Sequence, residues 1–597
     1  MRAWLALAAL VIVIRLPFLW TPIQGDDPYY LFGAQHAQID PLHPHHARYV
    51  FQGREVDMRG HPHPPGNAWF LAAILALTGD VRELPFHAAY LLWTLIAAAA
   101  AWWIAKRFSA VPAHATALFL VTPAFVINGN SLESDLPFVA LWLASFALYI
   151  RAVDQRRPLG PAVLALALAA MVAYQSVAAA PILAFYAWQR DRSRRAAFAA
   201  ALTPVFVFAA WQLAGRLTSG AMPAEVLGGY FAQYGLQSLE NKLRNAAMLS
   251  IHAGWLLFPA LWIAVIFRRD PVRDAQDRRF LIVWTAAFFA FALAVFFAGS
   301  MRYLLPIAPP FAILTAERLR SRPSLLVLGI GAQLALSLAL ATSNHDHWSG
   351  YRAFIASLAP QFEGRRVWVN SELGLRFYAE SEGALPLEQG QAVRPGDLVI
   401  SSELAYPVPF TTGGGVLAPL ASREIRARLP FQLIGLHAHS GYSTAHMGWL
   451  PFGFTNAPID VVHAHTVLER KPTLSFLPMN APGADSHIVA GVYPLEQNAW
   501  RWTSGRASFL LKAPDRPTPL RASLNVYEKS PATRLTLQLD GETVFQQAVR
   551  PGALEIATPP LHPRNETAVV TLTVDRTFQA PGDQRELGVI VAAIGFR

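Results

Sequence analysis

Long apolar runs separated by short charged loops fill the first ~340 residues of this chain and leave little choice of architecture. A membrane-spanning helix needs roughly 20 mostly apolar residues. By that measure the runs at 3–20, 84–105, 111–128, 136–151, 159–173, 176–189, 196–215, 250–267, 280–299, 303–317 and 323–342 predict about eleven transmembrane helices. The first run has no Ala-x-Ala site before the acids that follow it, so it is expected to be retained as an anchor rather than cleaved. The expected fold is a polytopic α-helical membrane protein with a C-terminal soluble α/β region and a β-sandwich. The expected domains are 1–343 in the membrane, 344–490 as a mixed α/β region and 491–597 as the sandwich.

Charge sets the orientation. Lys106 and Arg107, Arg151 with Arg156 and Arg157, Arg190 to Arg195, Arg268 to Arg279 and Arg318 to Arg322 fall in alternate loops. Short loops rich in Lys and Arg face the cytoplasm. The intervening loops, 21–83, 129–135, 216–249 and 300–302, hold most of the acids and His of this half and are predicted to face outward. The N-terminus is then cytoplasmic and the C-terminal part extracytoplasmic, as expected for a multi-pass protein of a bacterial inner membrane. The net charge of +10 is therefore a topology signal. Its spread over separate loops argues against a nucleic-acid partner. With no Cys there is neither a disulfide nor thiol chemistry.

The soluble half reads differently. "RRVWVN" (365–370) and "GDLVISS" (396–402) are strand-like, and "SELGLRFYAESEG" (371–383) is helix-like. After residue 491 short alternating strands follow one another: 506–512, 520–527, 533–549, 567–575 and 587–596, with Asp540-Gly541 as a hairpin turn. This spacing predicts a β-sandwich. Residues 575–589 read as a loop whose acids and Arg pair locally.

Three outward features stand at span ends. "GDDPYY" (25–30) holds Asp26, Asp27, Tyr29 and Tyr30. "NSLESDLPF" (130–138) holds Glu133 and Asp135, and "SMRYLLPIAPP" (300–310) holds Arg302 and Tyr303. Singly, an acid at a span end caps a helix, an Arg snorkels, and tyrosines belong to an interfacial belt. Together on one side they can line a cavity at the membrane surface, where ionisable groups mark function. Such a cavity can take a lipid-borne substrate from the side. For a sugar on a lipid phosphate, the chemistry needs a carboxylate to accept the acceptor's proton. It also needs a cation with fork geometry for the departing phosphate. Asp26 fits the first role and Arg302 the second, with inversion at the anomeric carbon. The tyrosines would then stack on the sugar.

An acid pair followed by Tyr-Tyr after the first span, a second acid motif opening the fourth, and "RYLLP" opening a late span together resemble the class C glycosyltransferases. These are polytopic enzymes using lipid-linked sugars, of the protein O-mannosyltransferase and aminoarabinose-transferase superfamily. "RLP" (15–17) and "HPP" (63–65) add to the resemblance, which covers about residues 1–340. It implies that Asp26 stands at the catalytic acid, with Asp27 where the superfamily usually has Glu, a departure that leaves open which of the two is the base, and that Asp135 belongs to the second acidic motif. It also implies a polyprenyl-phosphate sugar donor and a lipid, glycan or protein acceptor. Where the family often has Lys near the fifth span, this chain has Tyr174 and Gln175, which makes Tyr174 a candidate donor contact.

Six His fall between residues 36 and 63: His36, His43, His45, His46, His61 and His63. Imidazoles near carboxylates suit a divalent metal such as zinc or manganese. The Pro-broken "HPHH" and "HPHPP" match no metal motif, so structural or substrate-binding roles are expected, with His61 and His63 at the cavity floor and no metal ligands assigned. A second group, His437, His439, His446, His463 and His465, is expected in loops of the soluble part. The competing functional readings are a transporter or flippase of a lipid-linked sugar, and a scaffold presenting the sandwich. The first predicts midplane sites and internal repeats. Here the ionisable groups sit at span ends and no repeat is found.

Overall fold

The structure, a computed structural model, describes residues 2–267, 274–442, 447–580 and 583–597. Arg268 and its neighbours to 273, and His446, lie outside the described residues. Among the described residues, four helices are long and apolar enough to cross a membrane: Glu83–Phe108, Asp135–Asp154, Ala275–Val295 and Pro323–Gln361. Two bent pairs, Arg195–Ala201 with Thr203–Ser219 and Leu239–Trp255 with Ala260–Ile266, raise the number to six. The protein is thus a multi-pass membrane protein. Other expected spans are shorter or interrupted helices. The 111–128 run divides into Pro112–Leu120 and Pro123–Asn128. The 303–317 run divides into a 3-10 turn at Met301–Ile307, with Pro306 inside it, and the helix Ala308–Arg318. Proline has no N–H and clashes with the preceding turn, so these runs cannot continue as one helix.

The chain forms two compact units. The first comprises 1–356 with 372–378 and 424–460; the second comprises 357–371, 379–423 and 461–597. The first unit is built on one large apolar cluster. Within it the Asp135–Asp154 helix has Asp135 in its first turn and Asp154 at its last residue. Its 20 residues span about 30 Å at 1.5 Å per residue. At the Asp154 end, Arg107 pairs with Asp154 at 2.6 Å and with Asp277 at 2.7 Å, and the Tyr186 hydroxyl donates to Asp154 at 2.6 Å. Some of the loop arginines that set the predicted topology therefore also tie helix ends together.

The first outer loop is not irregular throughout. Arg48–Phe51 and Arg54–Asp57 form an antiparallel hairpin turned at Gln52-Gly53. "AWFLAAILALTG" lies in the helix Gly66–Thr78, closed by Gly79 in the left-handed conformation. Gly66 sits where a Cβ would meet the Met171 carbonyl oxygen at 2.4 Å, so only glycine allows the 63–66 turn to approach the end of the Gly160–Val172 helix. The second outer loop, 216–249, carries the helix Pro223–Gln233 and the start of Leu239–Trp255.

The second unit holds most of a mixed five-stranded sheet, in which Leu385–Pro386, Val367–Asn370 and Leu398–Ser402 are parallel and Asp460–Leu468 returns antiparallel. His463 and His465, expected in a loop, lie on that returning strand at half-buried positions that alternate with buried Val462, Ala464 and Thr466. A nine-stranded antiparallel sheet follows. Its long strand Trp500–Lys512 changes partner midway: Arg506 to Lys512 pair with Thr567 to Thr573, whereas Arg501 and Trp502 pair with Val591 and Ile590. The two halves of the sheet are thus continuous through one strand and enclose one core, including Phe509, Leu537 and Ile594. Asp540 and Gly541 both have positive φ, 49° and 88°, as a type I′ hairpin requires. In the 575–589 loop Arg585 pairs with Asp583 at 2.7 Å and with Glu496 at 2.9 Å.

Candidate active site

Asp26 and Asp27 are adjacent but have opposite environments. Gly25 turns the chain at φ 45°, and Asp26 stands at the N-cap of the helix Asp27–His36. The Asp26 side chain keeps 41% of its surface and accepts from Arg302 Nη2 at 3.1 Å. Asp27 is wholly buried. Its Oδ2 accepts from the Gln24 amide at 3.0 Å and its Oδ1 from the Leu132 amide at 2.7 Å. Burial pushes the Asp27 carboxyl up to about 8, against the pull of those two amides. Asp27 therefore fastens the start of its helix to the 129–135 segment, and Asp26 is the carboxylate of the pair that solvent reaches.

Arg302 gathers the three acidic positions. Besides Asp26 it contacts Glu133 through Nη1, and Asp135 Oδ2 lies 3.9 Å from the same nitrogen. Glu133 and Asp135 side chains are each 6% exposed and that of Arg302 11%. Three carboxylates thus face one guanidinium. The Arg302 side chain also stands 5.5 Å over the Tyr303 ring, and Tyr303 packs on Phe296.

The turn carrying Arg302 is held by a segment more than a hundred residues away in sequence. The Tyr442 carbonyl accepts from Ser300 Oγ at 2.7 Å and from the Met301 amide at 3.4 Å, and the Tyr442 hydroxyl donates to the Asn128 side chain. Asn128 ends the Pro123–Asn128 helix, whose carbonyls are read by a buried Arg15. Arg15 Nη1 donates to Val126 at 2.7 Å and Nη2 to Phe125 at 2.8 Å, while Nε donates to Thr94 at 3.0 Å. Gly129 leaves room for that guanidinium, since a Cβ there would lie 1.7 Å from Arg15 Nη2. The Arg of "RLP" is in this way a buried brace for the second acidic motif.

The two tyrosines also separate. The Tyr30 hydroxyl shares a hydrogen bond with Ser134 Oγ at 3.2 Å, which is 2.9 Å from His63 Nδ1. His61 lies edge-on to Tyr30 at 5.0 Å, and the His63 amide donates to His61 Nδ1 at 3.2 Å. Burial holds His61 down to about 4 and His63 well below the usual imidazole value. Tyr30, His61 and His63 therefore form one buried neutral row leading to the Asp135 motif. Tyr29 turns instead to the hairpin. Its ring stacks edge-on with Phe51 at 5.2 Å, and its hydroxyl donates to Glu372 Oε2 at 2.5 Å. Glu372 also accepts from the Gln52 amide at 2.5 Å and from Arg376 at 3.0 Å. Tyr174 packs edge-on against Phe208 at 5.6 Å, apart from the Arg302 contacts.

Glu372, Arg376, Asn128, Ser134 and Tyr442 were outside the sequence-based set. Ser134 sits between Glu133 and Asp135 and could have been noticed there. The others have no local signature. A cavity of about 320 Å³ adjoins the hairpin, lined by Arg48, Glu55, Asp57, Tyr230 and Gln233 among others.

Residues 62–216 match the family described as dolichyl-phosphate-mannose-protein mannosyltransferase. No curated relative matches the chain in sequence. Among solved structures, ArnT from Cupriavidus metallidurans bound to undecaprenyl phosphate is similar at 14% identity and a TM-score of 0.43, over 77% of this chain and 97% of that one. The archaeal oligosaccharyltransferase AglB from Archaeoglobus fulgidus is similar at 10% identity and a TM-score of 0.42, over 98% and 95% of the two chains. The mycobacterial arabinofuranosyltransferase AftD follows at 13% identity and 0.40, over 100% and 58%. The matched residues 62–216 include His63, Glu133, Asp135 and Tyr174, so the similarity to that family falls on the segment that carries the second acidic motif.

Proposed function

We propose that this protein is an integral-membrane glycosyltransferase that moves a sugar from a polyprenyl-phosphate donor to an acceptor hydroxyl or amine on the outer face of a bacterial inner membrane. The observation that carries the reading is the pairing of an accessible Asp26, at the start of the helix Asp27–His36, with a buried Arg302 in the turn Met301–Ile307. Asp26 takes the proton from the acceptor. The acceptor oxygen or nitrogen bonds to the anomeric carbon from one face, and the bond from that carbon to the phosphate oxygen breaks on the other. The polyprenyl phosphate leaves with the electron pair, and the configuration inverts. Arg302 holds the leaving phosphate. Because Arg302 is committed to carboxylates in this structure, donor binding exchanges at least its Asp26 contact for phosphate. That exchange also frees Asp26 to act as base. Glu133 and Asp135 keep the guanidinium in place, and Asp27 positions Asp26 without touching substrate. Tyr30, His61, His63 and Tyr303 form the walls toward the sugar, while Tyr29 supports the hairpin and Tyr174 stands further off.

The acids at span ends support an enzyme over a flippase, whose site belongs near the midplane. The test is incubation of purified protein in proteoliposomes with labelled polyprenyl-phosphate sugars and candidate acceptors. Label is expected to move from lipid to acceptor with inverted anomeric configuration. Unaltered donor crossing the bilayer, with no covalent transfer, would make the protein a transporter instead.

A further inference from the structure

A second polar cluster lies in the first outer loop, apart from the contacts of Arg302. Beyond the helix Asp27–His36 the chain runs through successive turns. The Asp40 amide donates to the His36 carbonyl at 2.9 Å, His43 to Asp40 at 3.2 Å and His46 to His43 at 3.0 Å. The last two are i to i+3 bonds, which bring Asp40, His43 and His46 to one side. Asp40, His43 and His46 therefore converge, although Pro41 and Pro44 rule out a helix between them. One ligand atom from each lies within 4.8 Å of the other two. The His43 ring nitrogen Nδ1 is 2.9 Å from Asp40 Oδ2, and the His43 and His46 rings stack at 4.4 Å and 17°. His43 and His46 line a cavity of about 110 Å³, together with Arg59, Trp211 and Ser219.

The chemistry of this set is specific. Two imidazoles and a carboxylate are the ligands of a borderline-soft divalent ion. Ligand atoms on one tetrahedral zinc stand roughly 3.3 Å apart, given bonds of ~2.0 Å, so the widest gap closes by about 1.5 Å on binding. Both imidazoles are on a short non-helical segment, which can make that adjustment. The adjoining cavity has room for water in the remaining coordination position. We propose that Asp40, His43 and His46 bind a divalent transition-metal ion, zinc by preference, that clips the loop following the Asp26 helix. The site is independent of the proposed transfer chemistry.

The test uses the full-length protein in detergent, stripped with chelator and titrated with cobalt(II) as a spectroscopic probe, then with zinc. The expected result is one equivalent of cobalt with visible d–d bands, displaced by zinc. A zinc-dependent rise in the thermal unfolding midpoint should accompany it. In H43Q/H46Q the bands and the rise should disappear, and D40N should weaken binding at least tenfold, while H463Q retains both. Absence of cobalt bands in the unsubstituted protein would overturn the proposal whatever the variants do. Equal binding by the unsubstituted protein and folded H43Q/H46Q would overturn it as well.

Discussion

Asp26 and Asp27 differ by one position and by almost everything else. The sequence left open which of them is the base, because neighbours at the start of a helix share a motif but point apart. Only the fold shows that both Asp27 oxygens are occupied by amides from two segments. Asp27→Ala orphans two buried donors, each costing ~1–3 kcal/mol. It should therefore lower the unfolding midpoint clearly, whereas Asp26→Asn leaves it near that of the unsubstituted protein; calorimetry in detergent checks both. Arg302→Ala leaves Glu133 and Asp135 buried without their cation, a change that costs about 3–5 kcal/mol. Arg302→Lys restores charge without the fork and should recover stability more than transfer. The buried histidines give a pH dependence. Their folded values lie below the ordinary 6.5, His61 at about 4, so the unfolded chain binds more protons in between. The stability they contribute is complete above pH 6.5 and is lost as the pH falls toward 4. Unfolding midpoints measured from pH 7.5 to 4.5 should drop through that window, and less steeply in His61→Gln.

At the scale of elements, legibility followed the range of the determining contacts. Strands such as Thr533–Leu539 and Glu542–Val549, with their Asp-Gly turn, were readable because alternation and turn chemistry are local. The helix Leu373–Ser381 was readable too, but the bonds of Glu372 to Tyr29 and of Arg376 to Val50 of the hairpin were not, since these partners lie over 300 residues away in sequence. The same holds for Tyr442, whose carbonyl fixes the Arg302 turn. The Asp40, His43 and His46 convergence was missed for another reason: a spacing of three on non-helical turns matches none of the helical ligand patterns. Glycine positions carry a sharper test. Gly129→Ala forces a methyl onto the Arg15 guanidinium and should destabilise the protein and impair transfer together. Gly79→Ala meets open space, but its φ of 72° makes the change strained, with a smaller cost of about 1 kcal/mol expected.

For the whole molecule, the two ends of one long helix differ in what they gather. The Asp135–Asp154 helix separates an acid and arginine site at one end from an arginine-rich network at the other. The first is the end to which the proposed function assigns the chemistry, while the second secures the helices. The number of spans was less legible than their existence, because proline-broken runs such as 111–128 have the composition of a span without its continuity. The most direct measurement is sugar transfer from a labelled polyprenyl-phosphate sugar by the unsubstituted protein, Asp26→Asn and Asp27→Asn, each first shown to be folded. Loss of the general base predicts a fall of at least ~100-fold in Asp26→Asn, with folded Asp27→Asn keeping a substantial fraction of activity. Undiminished transfer by Asp26→Asn would contradict the assignment of the base and the proposed mechanism with it.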